Sequence, residues 1–106
     1  MGEKTIQSEI IRHLTKLGDV QKNGQAQLRL GSRTIRIAGG TQKGNGYPDI
    51  SFIRDGKLYL FEVKAPGGRL KPSQKLRHES LKKQGFTVHV VTSLEQVKEI
   101  IDEPTR

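Results

Sequence analysis

The dipeptide Asp55-Gly56 constrains this chain more than any other feature. It stands between two short runs rich in strand-forming residues, PDISFIR at 48–54 and KLYLFEVK at 57–64. Both central positions of a tight type I′ turn need positive φ, which Asp-Gly accommodates, so the two runs read as a β-hairpin. A two-residue turn pairs Arg54 with Lys57 and fixes the register of every rung behind it. Ile50 then faces Phe61 and Phe52 faces Tyr59 on one side, an apolar set suited to a core. The other side carries Ile53 with Leu58, Ser51 with Leu60 and, at the far end, Asp49 with Glu62.

Two carboxylates in that relation need an explanation, because cross-strand partners have Cβ atoms roughly 4.5–5.5 Å apart and like charges there are destabilising. A divalent cation supplies one. Mg²⁺ takes a few carboxylate oxygens, keeps several waters and accepts phosphate oxygens. Lys64 lies two residues beyond Glu62 and so projects from the same face of the strand. An ammonium at that place can offset the acids, orient a water or stabilise charge on a phosphate. The plainer alternative is that Asp49 caps a turn after Pro48 while Glu62 and Lys64 face solvent. The net charge weighs against that alternative. Nineteen Lys and Arg against eleven Asp and Glu leave +8 on 106 residues, which implies a polyanionic partner such as nucleic acid.

The rest of the chain supplies one α/β domain. Ile6, Ile10, Leu14 and Leu17 form an apolar stripe that predicts a helix over 3–17, with Gly18 placed to end it. Segments 27–30 and 33–38 alternate like half-buried strands. Residues 39–46, GGTQKGNG, form a glycine-rich polar loop without the Gly-Lys-Ser/Thr of a nucleotide-phosphate loop. A helix is expected from about Pro72 to Gln84, closed by Gly85, then a strand at 87–91. Ser93 and Gln96 form a capping box for a last helix. The order α-β-β-β-β-α-β-α predicts a mixed β-sheet flanked by helices. The chain has no cysteine, so neither disulfides nor thiolate metal sites are available. No apolar run nears the roughly 18 residues of a membrane span and no signal-peptide pattern is present, so an intracellular, cytoplasmic location is expected.

Pro48-Asp49 followed by Glu62-Val63-Lys64 resembles the signature of the PD-(D/E)xK nuclease superfamily. The longer string GYPD…FEVKAPGGRLKPSQ is similar to its VRR-NUC branch, the virus-type replication and repair nucleases, and spans roughly residues 46–91. The resemblance implies a restriction-endonuclease-like core and a Mg²⁺- or Mn²⁺-dependent deoxyribonuclease. Asp49 and Glu62 would be metal ligands, with the backbone carbonyl of Val63 a third, and Lys64 would position or activate the attacking water. Gln74 would match the family's Gln that supports the site. Glu9 is a looser match to the acidic residue that related nucleases place on the first helix. It sits at the border of the buried face and could instead pair with His13 at i+4, while Glu3 lies near the terminus.

Arg69, Lys71, Lys75 and Arg77 cluster after the catalytic strand and are the expected phosphate contacts, with Lys43 on the glycine-rich loop. His78 follows Gln74 by one helical turn and would face the site; His89, between Val88 and Val90, reads as structural. Stand-alone members of the family resemble junction resolvases and act as dimers. Branched DNA such as a Holliday junction, cut by a homodimer, is therefore the expected substrate. Flaps, ends or nicked duplex are alternative targets, and a basic DNA-binding module without catalysis is the reading from another class.

Overall fold

The computed structural model describes residues 2–23, 27–30, 33–36 and 46–102. Nine elements follow in order: α1 (Glu3–Thr15), β1 (Asp19–Lys22), β2 (Gln27–Leu30), β3 (Arg33–Arg36), β4 (Ile50–Arg54), β5 (Lys57–Val63), α2 (Pro72–Lys83), β6 (Val88–Val91) and α3 (Leu94–Asp102). The hairpin register is the one the turn demands, from Arg54↔Lys57 to Ile50↔Phe61. Asp55 and Gly56 take φ of 52° and 77°.

The main sheet has the order β1-β4-β5-β6, antiparallel except for the parallel pair β5–β6. β2 and β3 form a separate antiparallel pair, so the strands expected in one mixed sheet divide between two. β1 was not expected from the sequence. Its DVQK has one apolar residue, Val20, too little for an alternation to register. The strand exists because Val20 pairs with Phe52 and packs against the core, and among the described residues it forms one edge of the sheet.

Strand alternation divides the hairpin between two helical layers. Ile50, Phe52, Phe61 and Val63 join Ile6, Ile10 and Leu14 of α1, Val97 of α3 and Val91 of β6 in the main core. Leu60 and Glu62 point from the opposite face, where α2 packs near β6. His89 shares the Phe61 side, with ring centroids 5.7 Å apart, and burial lowers its pKa, consistent with a structural residue.

The helix ends separate two uses of glycine. α2 closes as expected: Gly85 has φ of 96°, its N–H donates to Lys82 O, and Phe86 N–H donates to Leu81 O. Gly18 does not stop α1 by adopting the left-handed region. It is needed because β1 begins directly over β4: a Cβ at Gly18 would lie 2.5 Å from Ile53 O and 3.0 Å from the Phe52 ring. At Gly56 a Cβ would meet nothing within 4 Å, so only the backbone angle resists substitution. Gly18→Ala and Gly56→Ala should each destabilise the fold by about 1–3 kcal/mol, for different reasons. Urea unfolding distinguishes them: Asn, which tolerates positive φ, restores stability at 56 and worsens the loss at 18.

Candidate active site

The site forms where the hairpin ladder stops. Pro48 has no N–H to extend β4, and the last paired rung is Ile50↔Phe61. Beyond it the Asp49 side chain replaces the backbone acceptor: Val63 N–H donates to Asp49 Oδ2 at 2.8 Å. On the other flank Asn23, just after β1, holds the same segment. Its backbone N–H donates to Asp49 O at 2.8 Å, and its Nδ2 donates to Pro48 O at 2.9 Å and to Ser51 Oγ at 3.0 Å. Asp49 is thus fixed by neighbours on both sides.

Glu62 is fully buried, and α2 supplies partners for both of its oxygens. Gln74 Nε2 donates to Oε2 at 3.2 Å, and His78 Nε2 lies 3.1 Å from Oε1. Burial, chiefly, raises the Glu62 pKa to about 9. A side-chain hydrogen bond to Asp49 and repulsion from that carboxylate add to it, Lys64 opposes the rise, and Glu3 contributes a smaller repulsion. Burial also lowers the His78 pKa. The acid is raised and the imidazole lowered, and both shifts favour a hydrogen bond over an ion pair at the Glu62–His78 contact.

Gln74 connects this acid to the start of α2, because its Oε1 accepts the Lys71 N–H at 2.8 Å. Gly46 sets the distance from the other side. It has φ of 83°, and a Cβ there would lie 2.1 Å from Ser73 O and 2.7 Å from Gln74 N. Only glycine lets the chain entering Tyr47-Pro48-Asp49 pass so close to the helix.

A cavity of about 410 Å³ opens at this end of the sheet, with Asp49, Lys64 and Gln74 among its lining residues. Lys64 is nearly buried, at 7% exposure. Glu62 adjoins the cavity through Asp49 and Gln74. The acid that α1 brings to the cavity is Glu3, with Gln7 one turn on; Glu9 is not among the lining residues. The spacing accounts for this: Gln7 lies four residues after Glu3 on one helix face, whereas Glu9 lies two residues past Gln7 and faces elsewhere. Among the described residues no ion pair joins Glu9 to His13, whose Nε2 is buried without a hydrogen-bond partner.

Of the basic cluster, Lys71 lines the cavity, Arg77 stacks over the Tyr47 ring with its guanidinium carbon 5.8 Å from the centroid, and Arg69 and Lys75 are exposed nearby on the chain. Lys43 lies outside the described residues. Sequence reasoning did not find Asn23. Its only signal was an Asn ahead of a glycine, which reads as a turn.

The donor set suits a hard divalent cation. The two carboxylates abut, and each carboxylate oxygen has two lone pairs, so the bonds from Gln74 and His78 leave Glu62 with acceptor capacity. Among the described residues no three His, Asp or Glu side chains form a ready-made metal cluster. The remaining positions would fall to backbone carbonyl and water, as Mg²⁺ accepts.

Comparison with known proteins gives one consistent result. The family model described as the VRR-NUC domain matches residues 4–95. A solved structure titled "VRR_NUC domain" superposes with a TM-score of 0.67 at 27% sequence identity, covering 97% of each chain. No curated protein matches.

Glu62 gives the metal-free protein a defined pH dependence. Between pH 4.5 and about 9 the unfolded chain has released this proton while the folded chain retains it. Stability therefore falls as pH rises through that window. Glu62→Gln should flatten this fall, measured as the urea midpoint at successive pH values in the presence of a chelator. An unchanged pH profile in the variant would show that Glu62 is not the group responsible.

Proposed function

Because the chain belongs to the VRR-NUC domain family, we propose that it is a metal-dependent nuclease hydrolysing DNA phosphodiester bonds at Asp49, Glu62 and Lys64. The observation that supports this reading best is the contact of two carboxylates, Asp49 just before β4 and Glu62 on β5, the first of them lining a cavity with Lys64. Such a pair is poorly explained by folding alone, since holding Glu62 buried against a second carboxylate pushes its pKa up to about 9 and costs stability at neutral pH.

Asp49, Glu62 and the Val63 carbonyl would hold Mg²⁺ or Mn²⁺. Bound there, the ion supplies Lewis-acid stabilisation of the phosphate and lowers the pKa of a coordinated water. Lys64 places the nucleophile and counters charge developing on the phosphate, which it can do effectively because it is largely removed from solvent. Gln74 orients the Glu62 carboxylate from one side and His78 from the other. Asn23 and the Val63 N–H orient Asp49. Glu3, rather than Glu9, is the acid of the first helix within the same cavity, where it can hold a water.

Branched DNA is the substrate class we propose, cut by a homodimer. One chain supplies one set of these residues, and symmetric incision of a four-way junction needs two, which a two-fold dimer provides. The deciding experiment is cleavage of a labelled four-way junction, flap, nicked duplex and linear duplex with Mg²⁺ or Mn²⁺. Asp49→Ala and Lys64→Ala should each lower cleavage at least about a hundredfold, the scale of losing one preorganised electrostatic group. Both variants should remain folded by far-UV circular dichroism, with Asp49→Ala less stable by about 1–3 kcal/mol because Val63 N–H loses its acceptor. Mn²⁺ titration by calorimetry should lose its heat in Asp49→Ala. Cleavage by either variant at near the wild-type rate would refute the assignment of these residues, and equal cleavage of linear duplex would refute the junction preference.

A further inference from the structure

Among the described residues, the phosphate contacts expected from the sequence, Arg69, Lys71, Lys75 and Arg77, follow β5 and lie before or on α2. The cavity has a second wall. It is built by the first turn of α1 and the end of β1, and it presents Lys4 and Lys22. Lys22 stands opposite Ile50 in the β1–β4 ladder, one residue from Asp49, so a strand rather than a loop sets its distance from the acid. Ile50 faces the α1 layer, and so does its rung partner Lys22, whereas Glu62 and Lys64 belong to the α2 face. Lys71, the residue just before α2, marks the α2 wall. Lys4 and Lys22 are exposed, and among the described residues neither makes an ion pair.

We propose that Lys4 and Lys22 form a second phosphate-binding wall, so that one nucleic-acid strand crosses the end of the sheet gripped on both sides of Asp49. The inference rests on the nuclease reading and deepens it by defining the path of the strand. A phosphate at Asp49 and Lys64 has a chain leaving in two directions. The α1–β1 wall takes phosphates on one side, and the α2 wall with Lys71 takes those on the other. A site of this form requires nucleotides on both sides of the cut, which suits internal incision and disfavours removal of terminal nucleotides. Lysines are adequate for this task because backbone phosphates are held as point charges without base recognition.

Binding of a fluorescein-labelled four-way junction, followed by anisotropy with a chelator present, tests the wall without requiring cleavage. Lys4→Ala/Lys22→Ala should weaken binding about tenfold at moderate salt. It should also flatten the slope of log affinity against log salt by about 1.8, which is about 0.9 for each phosphate that the variant no longer neutralises. A scan with single methylphosphonate linkages then locates the phosphates each wall holds. Two separate blocks of sensitive phosphates are expected, one losing its sensitivity in Lys4→Ala/Lys22→Ala and the other in Lys71→Ala. An unchanged salt slope, or both variants acting on the same block, would overturn the proposal. Wild-type protein that shows both blocks but does not cut with Mg²⁺ or Mn²⁺ would overturn the nuclease reading while leaving the two-walled path standing.

Discussion

The hydrogen bond from Val63 N–H to Asp49 Oδ2 is the constraint on which the site depends. A β-ladder that reaches a proline loses a donor, and in most hairpins the strands simply part there. Here the side chain of the next residue takes over the acceptor's work, so the strands stay together for one further position. That position is the one at which Glu62 faces Asp49. The Asn23 bonds close the same segment from β1, so a short edge strand becomes part of the site's framework. Replacing Asn23 by alanine would leave Pro48 O and Ser51 Oγ without their side-chain donor, while the backbone bond to Asp49 O would remain.

The second element of the arrangement is a buried carboxyl group whose pKa is pushed up to about 9. An ionised Glu62 in full burial beside Asp49 would be strongly unfavourable, and the protein responds by holding a proton there. His78 is buried enough to prefer its neutral form, so it contributes a hydrogen bond without a counter-charge. Gln74 and His78 hold the Glu62 carboxyl group in place from its two oxygens.

The parts of this molecule legible in the sequence are those set by local chemistry. Asp55-Gly56 fixed the turn, the turn fixed the register, and the register brought Asp49 to Glu62 across a short stretch of chain. Gln74 and His78 were legible for a similar reason, since one helical turn separates them. What escaped required long-range pairing. β1 is defined by Val20 against Phe52 rather than by its own pattern, and Asn23 has meaning only once β1 lies beside β4. The choice between Glu3 and Glu9 failed on rotation: the terminal position of Glu3 argued against it, yet α1 is seated by Ile6, Ile10 and Leu14 so that Glu3 and Gln7 face the cavity. Gly18 was read as a helix stop because glycine commonly is one, whereas the fold uses it for close packing.

Gly46 has a mechanical consequence. There is no room for a single methyl group between its backbone and the Ser73–Gln74 peptide, so the approach to Tyr47 and the first turn of α2 are in direct backbone contact. A displacement of that chain pushes directly on Gln74, and through the Gln74 amide on the Glu62 carboxylate. Any side chain at position 46 would therefore displace Gln74 and, through its amide, the Glu62 carboxylate, without touching Asp49.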